Sequence, residues 1–315
     1  MRNAFADELL LLAAADPRIV LLSGDIGNRL FDRFKAQFPN RFFNCGVAEA
    51  NMASMAAGMA MCGLRPVTYT ITPFNTTRCL EQIRDDICYH NVPVLVVGTG
   101  AGLSYASLGC THHSCEDISF LRSIPNMTVL CPGDTWELRS LLRCAFKANG
   151  PAYMRIGKTG EPVVHANLPP LEIGKGFTMR QGDGLCILST GNMLPTAIEV
   201  ANCLQLKQVS TEVISFHTVK PLDTQLLTNL SRKFSYWVTL EEHSLIGGLG
   251  SSIAEWMIDQ HVRHVRLKRF GTPDLFPHPI GSQKYLRNQY GLEAEPIVNQ
   301  LLQEISHANA SSHSR

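Results

Sequence analysis

The chain has 315 residues, above the range of most single domains, so two domains of ordinary size are expected, each burying its own core. Hydrophobic residues make up 45% and charged residues 17%, a globular composition without the charge excess of a disordered chain. The formal net charge is +1, with acids and bases scattered along the sequence, which excludes a nucleic-acid face or a polybasic membrane patch.

From the start, MRNAFADELLLLAAADPRIV places Asp7 and Glu8 beside a short leucine run and predicts an amphipathic helix ended near Asp16-Pro17, not a secretory signal. IVLLSG at 19–24 predicts a strand, followed by a helix near 28–37, the strand RFFNCG, a helix over 47–61, the strand RPVTYTI and a helix through 76–89. VPVLVVGTG (92–100), a helical stretch after Glu116, MTVLCPGD (127–134), the helix TWELRSLLRCAFKANG and the strand PAYMRIG (151–157) continue the alternation. Strands apolar on both faces that alternate with helices predict an α/β fold, a parallel sheet covered on each side, over residues 1–162. Residues 163–176, part of a proline-containing stretch with little periodicity, read as a linker.

A second, smaller α/β domain is expected over 177–304. Its strands are LCILST (185–190), TEVISF (211–216), SYWVTLEE (235–242) and HVRLKRFG (264–271), with helices near 194–206, after Asp223 and from Gly250. The polar tail 305–315 is expected to be disordered. No apolar stretch is long enough to cross a bilayer. The ten cysteines are spread singly and form no dense secreted framework, so a reduced, cytoplasmic protein is expected.

CTHHSC at 110–115 offers Cys110, His112, His113 and Cys115 as ligands. Four ligands within six consecutive residues do not easily surround one tetrahedral ion, so no metal is expected there. GDG at 182–184 leads straight into a strand and reads as a turn. EEHSLIGGLGSS at 241–252 is a loose glycine loop, weak support for a phosphate site, and no ligand is assigned to it.

In sheets of this kind ligands sit beyond the carboxyl ends of the strands, where NCG, YTITPF, GTGAGLSYASLGCTHH and RIGKTG all fall. Glu49 lies in the first turn of a helix whose other residues are mostly small, Ala48, Ala50, Ala53, Ala56, Ala57 and Gly58, as expected of a helix packed closely on all sides. Its bland reading is an acid favoured by the helix dipole. A carboxylate beside such a surface also loses solvation, which favours the protonated acid and suits proton exchange with a ligand.

GVAEANM, GLRPVTYTITPFNTTRCLEQIRDDI, THHSCEDISFLRSIPNMTVLCPGD and LEEHSLIGGLGSSIAE, kept in one order, resemble the C-terminal half of the transketolase family in its two-subunit form. The resemblance implies a pyrimidine-binding domain of thiamine diphosphate enzymes followed by the transketolase C-terminal domain. It further implies that Glu49 contacts N1′ of the aminopyrimidine and activates the cofactor, that Phe74 stacks on that ring, and that Asp25 lies near it. His112 would contact substrate hydroxyls and move protons, and Arg155 would bind a sugar phosphate. Each has a plainer alternative: a core aromatic for Phe74, a helix N-cap for Asp25, a structural imidazole for His112, a surface salt bridge for Arg155. The chain departs from the family where Thr76 and Thr77 replace a second aromatic, where Arg29 stands near a usual serine, and where His113 replaces glutamine. Arg29 and His113 are therefore counted with the substrate-binding residues.

The GDG…Asn signature that holds the diphosphate through Mg²⁺ or Ca²⁺ is missing, so an N-terminal partner subunit is expected to supply it, in an α2β2 assembly. The expected reaction transfers a two-carbon ketol unit from a ketose, expected to be phosphorylated, to an aldose. Alternatives are a 1-deoxyxylulose-5-phosphate synthase-like or 2-oxo acid dehydrogenase β-like subunit, or a non-catalytic scaffold.

Overall fold

The structure, a computed structural model, describes residues 1–27 and 29–312, of which 308–312 are described by backbone alone. The apolar runs become strands β1 (Ile19–Ser23), β2 (Phe42–Asn44), β3 (Arg65–Ile71), β4 (Leu95–Thr99), β5 (Thr128–Leu130) and β6 (Ala152–Ile156), joined in parallel with helices between them. Period-two alternation divides each strand between two cores. Leu21, Tyr69, Val97 and Met154 face the helices Arg2–Ala15 and Thr135–Lys147, whereas Val20, Leu22, Val96 and Tyr153 face the helix Glu49–Met61 and the segment beyond β3. Residues 157–176 carry neither helix nor strand.

β7 (Phe177–Arg180), β8 (Leu185–Ser189) and β9 (Thr211–Ser215) begin a second sheet, with β7 antiparallel on its edge. The chain then crosses back. β10 (Thr218–Lys220) pairs antiparallel with β5, so a strand from beyond the linker completes the first sheet in the order β10-β5-β6-β4-β3-β1-β2. β11 (Tyr236–Ser244) and β12 (Arg266–Thr272) return to the second, ordered β12-β11-β8-β9-β7. GDG forms the bend between β7 and β8, where Asp183 N donates to Ser210 Oγ.

Three readings need correction. The tail does not lose structure at 305: the helix Ala294–Ser312 runs through it, because Ile297, Val298 and Leu301 are buried and Leu302 and Ile305 pack against the same core. Residues 313–315 lie outside the described residues. The segment after β3 is not one regular helix but a short turn of helix Thr72–Asn75, a 3₁₀ turn Thr77–Cys79, Leu80–Gln82 and a π-helical run Ile83–Tyr89. Finally, the helix Glu49–Met61 is not packed on all sides. Ala48, Asn51, Gly58 and Met61 are exposed in the single chain, and a side chain at Gly58 would meet nothing within 4 Å. No helix among the described residues is long and apolar enough to cross a membrane.

Candidate active site

At the carboxyl end of the first sheet, loops from four strands build one row of side chains. β2 leads through Cys45-Gly46 to Glu49, the first residue of its helix and 2% exposed. Gly24, just beyond β1, leaves the room: a side chain there would press on Glu49 Cγ at 3.3 Å and Thr70 Cβ at 3.1 Å. Arg78 Nη1 donates to Glu49 Oε2 at 2.8 Å, and the guanidinium carbon of Arg78 lies 4.1 Å from the centroid of the Phe74 ring. Phe74 meets His112 edge to face at 5.3 Å, and His112 lies 6.1 Å from Tyr105. Lys158 Nζ, beyond β6, stands 4.5 Å from the Tyr105 ring centroid. The order is carboxylate, guanidinium, ring, imidazole, phenol, ammonium.

Buried hydrogen bonds hold the loops. Asn75 Nδ2 donates to Thr68 O and to Val97 O at 2.9 Å, Thr72 Oγ1 donates to Thr99 O, and Thr76 Oγ1 donates to Thr72 O at 2.7 Å, which fixes the backbone carrying Phe74. Thr76 is fully buried in this role, so no second side chain from position 76 reaches the ring. Gly100 is required by close approach: at φ +75°, a Cβ would sit 1.9 Å from the Tyr105 ring. Thr111 Oγ1 and His112 Nδ1 share a hydrogen bond at 2.9 Å, and Nε2 of the half-buried His112 has no hydrogen-bond partner among the described residues.

Asp25 and Arg29 lie on an exposed turn after β1, both with positive φ, 53° and 68°. No helix starts at Asp25, so it is not an N-cap. It accepts from Asn44 Nδ2 at 2.9 Å, next to the strand that leads to Glu49. His113 turns away from the row just past the turn closed by His112 N and Gly109 O, and with Cys110, Cys115, Glu116 and the loop after β12 lines a separate cavity of about 290 Å³. It is 7% exposed, neither ring nitrogen has a hydrogen-bond partner, and burial pushes its pKa down, so it is a poor companion for His112.

Arg155 is also misplaced by the sequence reading. It lies within β6, not beyond it, and its side chain is 2% exposed. Nε donates to Asp117 Oδ2 at 2.8 Å, and Nη2 donates to Ser114 O at 3.0 Å and Glu242 O at 2.9 Å. Burial works against its charge most strongly, but Asp117, Cys131 and Tyr153 together outweigh it and hold the guanidinium above its ordinary range. Arg155 therefore ties the two sheets together. Glu242, next to it, accepts from Leu103 N, Asn192 Nδ2, Gln283 Nε2 and Arg287 Nε. Lys158, three residues on and past the strand end, is the cation that β6 brings to the row. Its position after RIG was the signal, since side chains beyond a strand's carboxyl end reach the crevice. Arg78 and Tyr105 were likewise missed, although TPFNTTR and GLSYAS both follow strands.

The row thus brings a buried acid, an aromatic face and an imidazole together at the sheet's carboxyl edge. Comparison with known proteins places the chain. Residues 1–160 match the transketolase pyrimidine binding domain and residues 174–297 the transketolase C-terminal domain, so the chain belongs to the transketolase family. It is 33% identical over 308 residues to a putative transketolase C-terminal section of Methanocaldococcus jannaschii, covering 97% of this chain and 96% of that protein. It is 36% identical over 299 residues to the 6-deoxy-6-sulfo-D-fructose transketolase subunit SqwH of a Clostridium species, covering 95% and 92%. A solved split-gene transketolase, described as an inactive β4 tetramer, superposes with a TM-score of 0.88 at 33% identity over 96% of this chain and 97% of that one. The 1-deoxy-D-xylulose-5-phosphate synthase of Chlorobium phaeovibrioides is 35% identical over 305 residues, but this chain spans only 47% of its length. Fold and family thus agree with the resemblance read from the motifs.

Proposed function

We propose that this chain is the C-terminal subunit of a split transketolase, working with an N-terminal subunit in an α2β2 enzyme that moves a two-carbon ketol unit from a ketose to an aldose. Residues 1–162 and 177–304 would be its two domains. The observation that carries this reading is the buried carboxyl of Glu49 linked through Arg78 to the half-exposed Phe74 ring, an arrangement suited to a planar heterocycle with a ring nitrogen at its edge. Arg78, itself planar and edged with N–H donors, already lies on that ring and against that carboxyl, which supports the fit.

Thiamine diphosphate, when bound, would supply an electron sink for breaking a carbon–carbon bond next to a carbonyl. This chain's residues would do the rest. Glu49 exchanges a proton with N1′ of the aminopyrimidine, Phe74 stacks on the ring, and Asp25 stands at the rim. His112 Nε2 takes and returns protons at substrate hydroxyls. Lys158 faces an anionic end of the substrate, the role first given to Arg155. Among the described residues no group of three or more His, Cys, Asp or Glu could hold a metal. The Mg²⁺ or Ca²⁺ and the diphosphate would fall to the partner.

The test is reconstitution of the chain with the N-terminal subunit, thiamine diphosphate, Mg²⁺ and ketose donors. Glu49→Gln keeps the fold and abolishes turnover, because an amide cannot exchange the proton at N1′; full turnover in that variant rejects the assignment. The 35% identity to the synthase keeps a second reading open. Release of CO₂ from pyruvate with an aldose phosphate, in place of transfer from a ketose, would select it.

A further inference from the structure

Arg78 has no task in the proposed chemistry, yet it occupies the centre of the site. Its Nη1 lies 2.8 Å from Glu49 Oε2 and its guanidinium carbon 4.1 Å from the Phe74 centroid. A guanidinium is flat, cationic and edged with donors, so it can stack on a ring while donating to a carboxylate beside it. These are the same two contacts that the proposed function requires of an aminopyrimidine. Two flat groups cannot share one face of Phe74 and one oxygen of Glu49.

We propose that Arg78 is a displaceable placeholder for the aminopyrimidine ring: without cofactor its guanidinium fills the seat between Phe74 and Glu49, and it must swing out before the ring enters. This deepens the functional reading above and rests on it. The burial of the pair is asymmetric. The Glu49 side chain is 2% exposed and that of Arg78 42%, so the acid is fixed and the cation has open solvent to leave into. A carboxylate buried without a counter-charge is costly, which is why an acid kept for a ligand benefits from a cover while the ligand is away. The backbone does not need to move. Arg78 lies in the turn Thr77–Cys79, flanked by the buried Thr76, bonded to Thr72 O, and the buried Cys79, whose Sγ faces Phe74 O at 3.7 Å. The swing is therefore a rotation of one side chain.

A seat filled by its own side chain binds a ligand more weakly in proportion to the fraction of chains in which it is free. A partly exposed ion pair and a cation–π contact together correspond to about 5- to 30-fold, or about 1–2 kcal/mol. The probe is thiamine, which carries the ring without the diphosphate, titrated into the full chain and read by saturation-transfer NMR. Circular dichroism and thermal melting establish the fold of each variant. Arg78→Ala and Arg78→Gln are expected to bind thiamine about 5- to 30-fold more tightly than the wild-type chain, and adding Glu49→Gln removes the gain. In the unsubstituted chain, the Arg78 Nε–H resonance, assigned by its loss in Arg78→Lys, shifts as thiamine is added; it decides the matter if the variants do not fold. Unchanged or weaker binding in the folded Arg78 variants overturns the placeholder. Glu49→Gln then separates the two ideas: weakened thiamine binding leaves the functional reading standing, whereas binding indifferent to both Glu49→Gln and Phe74→Ala removes it as well.

Discussion

Replacing Arg155 by methionine separates a structural arginine from a substrate-binding one. Arg155 and Asp117 are 2% and 0% exposed, and the arginine also donates to the carbonyls of Ser114 and Glu242. Removing it leaves Asp117 with the Tyr153 hydroxyl as its one side-chain donor among the described residues and strips two buried carbonyls of a partner. Breaking one side of a buried pair costs about 3–5 kcal/mol. At the roughly 2 °C per kcal/mol expected for chains of this size, the melting temperature falls by about 6–10 °C. Asp117→Asn added to Arg155→Met removes the uncompensated charge and recovers part of the loss. Lys158→Ala, in contrast, changes the melting temperature by less than about 2 °C, because that side chain is only half-buried and its contact is one ring. In the reconstituted enzyme Lys158→Ala raises the KM of a phosphorylated ketose more than that of its unphosphorylated analogue. An Arg155→Met chain as stable as wild type but with the raised KM would refute the interdomain assignment and restore the reading from sequence.

Two further outcomes follow from the geometry. Gly100→Ala places a methyl group into the Tyr105 ring at a backbone angle that disfavours side chains, so Tyr105 is driven off His112. A loss of about 2 kcal/mol in urea unfolding, with weakened substrate binding, is expected, and wild-type stability would contradict the packing. Burial pushes the pKa of His217 down to about 4, below the unfolded value near 6.5, so its contribution to stability is present above about pH 6.5 and is lost as the pH falls towards 4. His217→Gln removes that dependence. The destabilisation of the variant relative to wild type should shrink between pH 7 and pH 4.5 by an amount on the order of 2–3 kcal/mol. Glu137 and Glu241, raised to about 7 by burial, act in the opposite sense and cancel in the comparison. Parallel pH profiles of the two proteins would contradict the assignment.

The runs apolar on both faces and their alternation with helices were enough to read most of the parallel sheet and the helices that cover it, because those patterns follow from local backbone geometry and burial. Glu49, Phe74 and His112, each just past a strand, were named from the sequence, and the structure brings all three into one row. What escaped depended on contacts between distant parts of the chain. β10 joins the first sheet from beyond the linker, and nothing in TVK distinguishes that partner from its neighbours in the second. The tail helix is held by burial against residues of β8 and the helix Leu194–Leu206, which its polar composition does not reveal. Arg155 and Lys158 lie three residues apart, and the side of the strand end on which each falls was decided by Asp117 and by a carbonyl contributed from β11. His112 and His113 are adjacent yet line different spaces, because the chain leaves a turn between them. Sequence alone thus determined most of the elements, the family and the end of the sheet at which the candidate site stands. Only the tertiary structure decided which charged groups line it and which ones brace it, since that choice is set by burial against residues remote in the chain.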